Sequence, residues 1–259
     1  MVHVRPDTTV ASALQASDEG VRDAENARRH GVAVKTIRRW RRLYQRQGLA
    51  RGQRHVQALC PRCDDAPVDG RSYAELLGWY LGDGHLTEAR RGVFSLQIYN
   101  DLKYPRLNEH VGDLMRAVKP GSRPHTRVVP GCLVTTVGWK HWPCLFPQHG
   151  PGRKHERTLG MTAWQWELVE RWPADFLRGL FHSDGCRVHN WARRPVAGQP
   201  KRYDYPRWQF TNVSAEIRGW CCDALDLVGV PWRQSNAKTI SVSTRAGVAR
   251  LDELLGLKA

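Results

Sequence analysis

The chain has 259 residues, with 40 Lys or Arg against 25 Asp or Glu, a formal net charge of +15 and a pI near 10.0. It contains no apolar run of the roughly 18 residues that a membrane-spanning helix needs, and its first residues lack the charged-then-apolar pattern of a secretory signal. The seven scattered cysteines fit reduced thiols better than a disulfide framework, so the expected location is the cytoplasm, with nucleoid association in a bacterium. Of the basic residues 32 are Arg, a side chain suited to bidentate contacts with phosphate and guanine edges. A surface this basic points to nucleic acid, against the plainer alternative of a solubilising cationic coat.

Residues 1–17 are rich in Thr, Ala and Ser and read as a flexible tail. A helix is expected from Asp18, capped by Ser17 or Asp18 and closed by Gly31. A second amphipathic helix follows, with Ile37, Trp40 and Leu43 or Tyr44 recurring at three to four positions, and ends near Gly48. The spacing of Ala27, Gly31, Val32, Ile37 and Trp40 resembles a helix-turn-helix, here assigned to 18–54. Lys35, Thr36, Arg38, Arg39 and Arg42 would then face outward, as on a helix that reads the major groove. Residues 18–54 carry 11 Lys or Arg and four acids. A helical hairpin that merely packs on the rest is the competing reading.

Residues 55–72 form a linker containing Cys-Pro-Arg-Cys at Cys60–Cys63. One C-x-x-C is half of a zinc site, and no second one follows. His55, Cys132, Cys144, His149 and Cys186 could complete it only through the fold. A structural zinc knuckle, a redox pair and two unligated cysteines in a turn all remain open, although a redox role lacks its usual βαβ context.

The rest of the chain is a repeat. Leu76–Gly84 reads LLGWYLGDG and Leu177–Gly185 reads LRGLFHSDG, placing Asp83 and Asp184 101 positions apart. Gly78 and Gly82 share one helix face, as do Gly179 and Ser183, and small residues at that spacing let two helices approach closely. Gly84 and Gly185 are expected to stop the helices. The repeat continues through strand-like SLQIYN, with Gln97 and Asn100, and WQFTN, with Gln209 and Asn212. Helices over Pro105–Val118 and Ala215–Val228 follow, then strand-like Cys132–Trp139 and Thr239–Thr244. Each half then reaches a lysine, Lys154 or Lys258, 71 and 74 positions after its aspartate.

Both Asp-Gly segments resemble the LAGLIDADG motif of homing endonucleases and their relatives, over about Tyr73 to the C-terminus. The resemblance implies an α+β fold of two pseudo-symmetric αββαββα half-domains, each with a curved antiparallel sheet, over 73–160 and 161–259. It also implies that Asp83 and Asp184 hold Mg²⁺ or Mn²⁺, with help from the backbone carbonyls of Gly82 and Ser183. Gln97 and Gln209 would position water, and Lys154 and Lys258 would stabilise charge. The implied activity is metal-dependent cleavage of double-stranded DNA across the minor groove by a monomer, since both halves lie in one chain. A non-cleaving DNA-binding regulator and, less favoured, an RNA maturase are the alternatives.

Further DNA contacts are expected from Lys140, Arg153, Arg193, Arg194 and Arg207. The basic, Pro-rich stretch Lys140–Arg157 reads equally as a DNA-contacting loop or a surface connection between halves. The insert Asn190–Tyr205 lengthens the first hairpin of the second half, so that Asp184 to Gln209 spans 25 positions against 14 from Asp83 to Gln97. It reads equally as a basic arm along DNA or a solvated loop. Trp164, Trp166 and Trp172 are expected to pack rather than stack on bases.

Overall fold

The computed structural model describes residues 5–47, 59–256 and 258, and it divides into two units, Met1–Leu59 and Cys60–Ala259. The expected end of the helix-turn-helix at 48–54 and the zinc candidate His55 lie outside the described residues.

The first unit is three-helical: α1 (Asp7–Asp18), α2 (Asp23–Arg29) and α3 (Val34–Gln47). Val10, Ala13, Leu14, Ala27, Ile37 and Trp40 form its core, with Val32 packed against them. Gly31, at φ +59°, makes the turn between α2 and α3. The expected tail over 1–17 is therefore corrected to a helix from Asp7 onward, residues 1–4 lying outside the described ones. Val10, Ala13 and Leu14 supply the i, i+3, i+4 stripe that anchors it, a signal hidden by the small polar residues around it. The expected single helix from Asp18 is also corrected. Gly20, at φ +83°, breaks the chain there, and buried Asn26 ties α2 back to α1 by donating to Ala13 O at 2.7 Å and Ser17 Oγ at 2.8 Å.

The second unit runs α4 (Gly70–Leu81), β1 (Gly84–Ala89), β2 (Val93–Asp101), α5 (Pro105–Val118), β3 (His125–Val129), β4 (Cys132–Trp139), α6 (Trp142–Leu145) and α7 (Ala163–Arg171), and then repeats. The second pass is α8 (Pro173–Asp184), β5 (Gly185–Val196), β6 (Gln199–Thr211), α9 (Ala215–Leu227), β7 (Arg233–Asn236), β8 (Thr239–Val242) and α10 (Arg245–Leu255). The two antiparallel sheets have matching orders, β1-β2-β4-β3 and β5-β6-β8-β7. Alternation sets their inner faces. Leu86, Leu96, Ile98 and Val137 are buried in the first, and Trp208, Phe210, Ile240 and Val242 in the second.

α4 is apolar almost all round and buried along its length, as a helix enclosed by other elements must be. Asp69 caps it, accepting from Ser72 N at 3.2 Å. α7, between the halves, was not anticipated. Its Trp164 packs on Tyr73 with ring centroids 5.0 Å apart, so this tryptophan is a packing residue.

Candidate active site and nucleic-acid interface

α4 and α8 pack directly along their small residues. A Cβ on Gly78 would lie 2.4 Å from Phe176 O, and one on Gly179 would lie 2.1 Å from Glu75 O. A Cβ on Gly82 would lie 2.1 Å from Ser183 Oγ. Neither glycine of the central pair can carry a side chain without separating the helices. Gly185 caps α8 as expected, whereas α4 is capped by Gly82 rather than Gly84. Gly84 and Gly185 also share a second role. They open β1 and β5, and a Cβ would meet Tyr80 Cα at 2.3 Å or Phe181 O at 2.6 Å. Close approach of the strand to its own helix, not a left-handed backbone, selects glycine there.

This packing brings Asp83 and Asp184 into one electrostatic site. Burial, reinforced by the charge of Asp184, pushes the Asp83 carboxyl up to about 6. Burial also raises Asp184, offset in part by Asn212 Nδ2, which donates to Asp184 Oδ2 at 2.6 Å. Two neighbouring carboxylates partly shielded from water disfavour their own ionisation, a cost tolerated where such groups carry chemistry.

Each helix end is met by a lysine. Lys154 opens a short 3₁₀ turn, Lys154–Glu156, and its Nζ donates to Tyr80 O, to Leu81 O at 2.8 Å and to Gly82 O at 3.0 Å. Burial lowers its pKa to about 8, opposed by the two aspartates. Lys258 Nζ donates to Ser183 O at 3.3 Å and lies over the Tyr104 ring. Its pKa is also lowered by burial. The two lysines thus hold the carbonyls of Gly82 and Ser183, the same two oxygens that the motif resemblance gives to the metal.

The glutamines stand on the open faces of the sheets. Gln97 pairs with His85 and Thr136, and Gln209 with Cys186 and Ser241, so each lies opposite the residue two past its aspartate. His85, Gln97, Thr136 and His125 form one row across the first sheet. Cys186, Gln209, Ser241 and Arg233 form the matching row in the second. Gln97 accepts from Tyr99 Oη at 2.9 Å and donates to Thr87 Oγ1 at 3.4 Å. Gln209, in the amide orientation that satisfies both partners, accepts from Arg207.

A cleft beside Asp184 and Asn212 is lined by His85, His149, Arg153 and Arg157. Arg153 is exposed and lies 3.7 Å from Glu156, and Lys140 is exposed just past β4. The insert in the second half is a two-stranded arm, because β8 pairs with β6 only over Trp208–Thr211. Ala197 and Gly198, both at positive φ, make its tip, as a two-residue hairpin turn requires. Arg193 lies opposite Arg202, and Arg194 opposite Lys201. Arg202 is paired with Asp204, Nη2 to Oδ1 at 2.6 Å, which relieves the like charge it would otherwise present to Arg193. Trp191 is 53% exposed between Arg193 and Arg202, whose guanidinium carbons sit 5.5 and 5.3 Å from its ring centroid.

In the first unit, Lys35, Arg38, Arg39 and Arg42 lie on the exposed side of α3, with Thr36 half-buried among them. Arg38 is held by Asp23, Nε to Oδ2 at 3.1 Å.

Two residues eluded sequence reasoning. Asn212 served only to mark the repeat, yet it binds Asp184. Its equivalent Asn100 is buried and donates instead to Asn108 at 3.3 Å. His141 lies with Cys60, Cys63 and Cys144, although its H-x-x-C spacing to Cys144 was legible.

A family model for a homeodomain-like domain matches residues 7–51. No curated protein sequence matches the chain. Among solved structures, the homing endonuclease I-DmoI in complex with DNA and Mn is 13% identical with a TM-score of 0.47, over 73% of this chain and 98% of that one. The LAGLIDADG meganuclease I-AabMI bound to uncleaved DNA is 13% identical with a TM-score of 0.45, over 70% and 82%. The N-terminal LAGLIDADG domain of WhiA is 12% identical with a TM-score of 0.42, over 73% and 82%. The chain is thus similar to a homeodomain-like domain over its first unit and, over about seven-tenths of its length, to LAGLIDADG proteins.

Proposed function

We propose that the protein is a site-specific double-strand DNA endonuclease of LAGLIDADG type that acts as a monomer with Mg²⁺ or Mn²⁺. The observation that carries this reading is the placing of Asp83 and Asp184 at equivalent ends of two helices in backbone contact, each end met by a lysine. The donor set fits a hard divalent cation: two carboxylates and the carbonyls of Gly82 and Ser183, all oxygen. Two half-buried acids whose ionisation is resisted are also groups that a cation would stabilise. When bound, such an ion supplies an activated water and neutralises charge at phosphorus.

The protein's own groups do the rest. Asn212 fixes the Asp184 carboxylate in one orientation. Lys154 and Lys258 put ammonium groups beside the acids, where charge builds on a phosphate under attack. Gln97 and Gln209, on the open sheet faces, orient water and the backbone. Arg153, Arg157, Lys140, Arg193 and Arg207 supply phosphate contacts, and α3 supplies groove contacts through Lys35, Arg39 and Arg42. The two pseudo-equivalent halves suit two strands of one duplex.

A second reading is a DNA-binding regulator that does not cleave. Lys154 and Lys258 already satisfy the carbonyls of Gly82 and Ser183, and the homeodomain-like match over 7–51 is at home in a regulator. The DNA bound by the protein in cells can be mapped and the recovered duplex incubated with protein and Mg²⁺ or Mn²⁺. Staggered double-strand cuts support the nuclease. Tight binding with an intact duplex under both metals supports the regulator.

A further inference from the structure

We infer that Cys60, Cys63, His141 and Cys144 form a structural zinc site that staples the start of the second unit to the end of β4. The cluster is independent of the aspartate site, and the inference does not rest on the proposed cleavage activity.

The geometry fits one tetrahedral ion. The four candidate ligand atoms all lie within 4.8 Å of one another. Cys63 Sγ lies 3.6 Å from Cys144 Sγ, and Cys144 Sγ lies 3.8 Å from His141 Nδ1. A tetrahedron with Zn–S bonds of about 2.3 Å has S–S edges near 3.8 Å. A disulfide, by contrast, brings sulfurs to about 2.05 Å.

The local chain is shaped for the task. Cys60 and Cys63 bracket a tight turn in which Asp64 N donates to Cys60 O at 2.9 Å and Asp64 Oδ2 accepts from Cys60 N at 2.7 Å. The Arg62 amide points at Cys60 Sγ, 3.4 Å away, the kind of N–H···S contact that steadies a ligating thiolate. On the other side, Cys144 N donates to His141 O at 3.0 Å, so H-x-x-C makes a second knuckle at the start of α6. Two knuckles, each with a two-residue spacer, give a closed set of three thiolates and one imidazole. That set belongs to zinc rather than magnesium, and leaves no open position for catalysis. Three thiolates and Zn²⁺ leave one negative charge, and Arg62 stands within the first knuckle.

The staple has a structural consequence. α6 buries Trp142 and Leu145, and Phe146 beyond it packs on Tyr80 at 4.4 Å between centroids. The same segment continues to Lys154. An ion at the cluster would therefore brace the chain that delivers Lys154 to the end of α4.

The test is metal analysis of the full-length protein, purified under reducing conditions without chelator. About one zinc per chain is expected, and replacement by Co²⁺ should give thiolate-to-cobalt charge transfer with intense tetrahedral visible bands. Cys144→Ser should remove most of the bound zinc, while Cys186→Ser and Asp83→Asn should keep one equivalent. His141→Cys, which retains four ligands, should still bind Co²⁺ with stronger charge transfer, and so guards against simple misfolding of the other variants. A folded wild-type protein that takes up no zinc on reconstitution would overturn the inference. So would zinc retained in full by Cys144→Ser, or a Cys63–Cys144 disulfide in a metal-free protein that resists zinc after reduction.

Discussion

Removing Arg178 probes the joint between the two halves. Arg178 on α8 reaches Glu75 on α4 at 3.2 Å and Asp175 at 2.7 Å, and donates to Leu254 O at 2.8 Å. Glu75 and Asp175 are only 3% and 5% exposed, so little water can replace the guanidinium. Glu75 keeps His110, at 2.6 Å, and Asp175 keeps the largely exposed Arg71, at 3.0 Å. Breaking a buried ion pair from one side costs about 3–5 kcal/mol. Arg178→Met, which retains most of the packing, should therefore destabilise by roughly 3 kcal/mol in urea unfolding at pH 7. Arg71→Ala, losing an exposed partner, should cost under about 1 kcal/mol. The pH dependence follows from Glu75. Burial pushes its pKa up, but the His110 hydrogen bond and Arg178 outweigh burial and leave it below its usual value. A lowered carboxylate contributes stability above its unfolded pKa that is lost as pH falls through its folded pKa. The gap between wild type and Arg178→Met should be widest near neutrality and narrow below about pH 4.5. A cost below about 1 kcal/mol, or a gap that does not change with pH, would refute this view of the joint.

Other outcomes follow from the same geometry. Asp83→Asn mimics the protonated acid, and the shift from 3.8 to about 6 corresponds to roughly 3 kcal/mol. Because a raised folded pKa means stability lost as pH rises, the variant should melt higher than wild type at pH 7 without divalent cation, with the advantage fading between about pH 6 and pH 4. His182 is buried with neither ring nitrogen hydrogen-bonded, and burial lowers its pKa to about 4. His182→Leu, the residue found at the equivalent Leu81, should stabilise the fold by about 1–2 kcal/mol in the same unfolding assay. Neutralising the arm with Arg193→Gln and Lys201→Gln should weaken DNA binding and flatten its salt dependence by roughly one to two released counterions, measured by titration at several salt concentrations. Deleting residues 1–59 should weaken binding while preserving the positions of any cuts, read on a sequencing gel.

The sequence exposed the helix pair because its constraint is local and doubled. Two helices that touch through Gly78 and Gly179 must both write small residues at fixed spacing. The match of Gln97 to Gln209 was legible for a related reason, since strand alternation and a repeated register carry it. Helix α1 was missed because Val10, Ala13 and Leu14 make only a short stripe, whose partners Ile37 and Trp40 come from elsewhere in the chain. The contact of Asn212 with Asp184 could not be read from either segment, because the equivalent Asn100 turns inward to Asn108. The Cys/His cluster was half visible. Its first knuckle has the expected C-x-x-C spelling, whereas the second substitutes His141 for one cysteine and lies about 80 positions away. The role of Lys154 as a clamp on the α4 carbonyls depends on how a Pro- and Gly-rich loop folds back, which spacing alone does not determine.

The central claim is that Asp83 and Asp184 serve chemistry rather than architecture. The most direct measurement compares wild type, Asp83→Asn and Asp184→Asn on the duplex mapped from cells, following binding with Ca²⁺ and cleavage with Mg²⁺ or Mn²⁺. Affinity should be nearly unchanged in both variants, since phosphate and base contacts lie elsewhere. Wild type should cut both strands, and each variant should lose double-strand cleavage, with nicking of one strand as the most that remains. Tight binding by wild type with no cutting under either metal, or double-strand cutting that survives both substitutions, would contradict the claim.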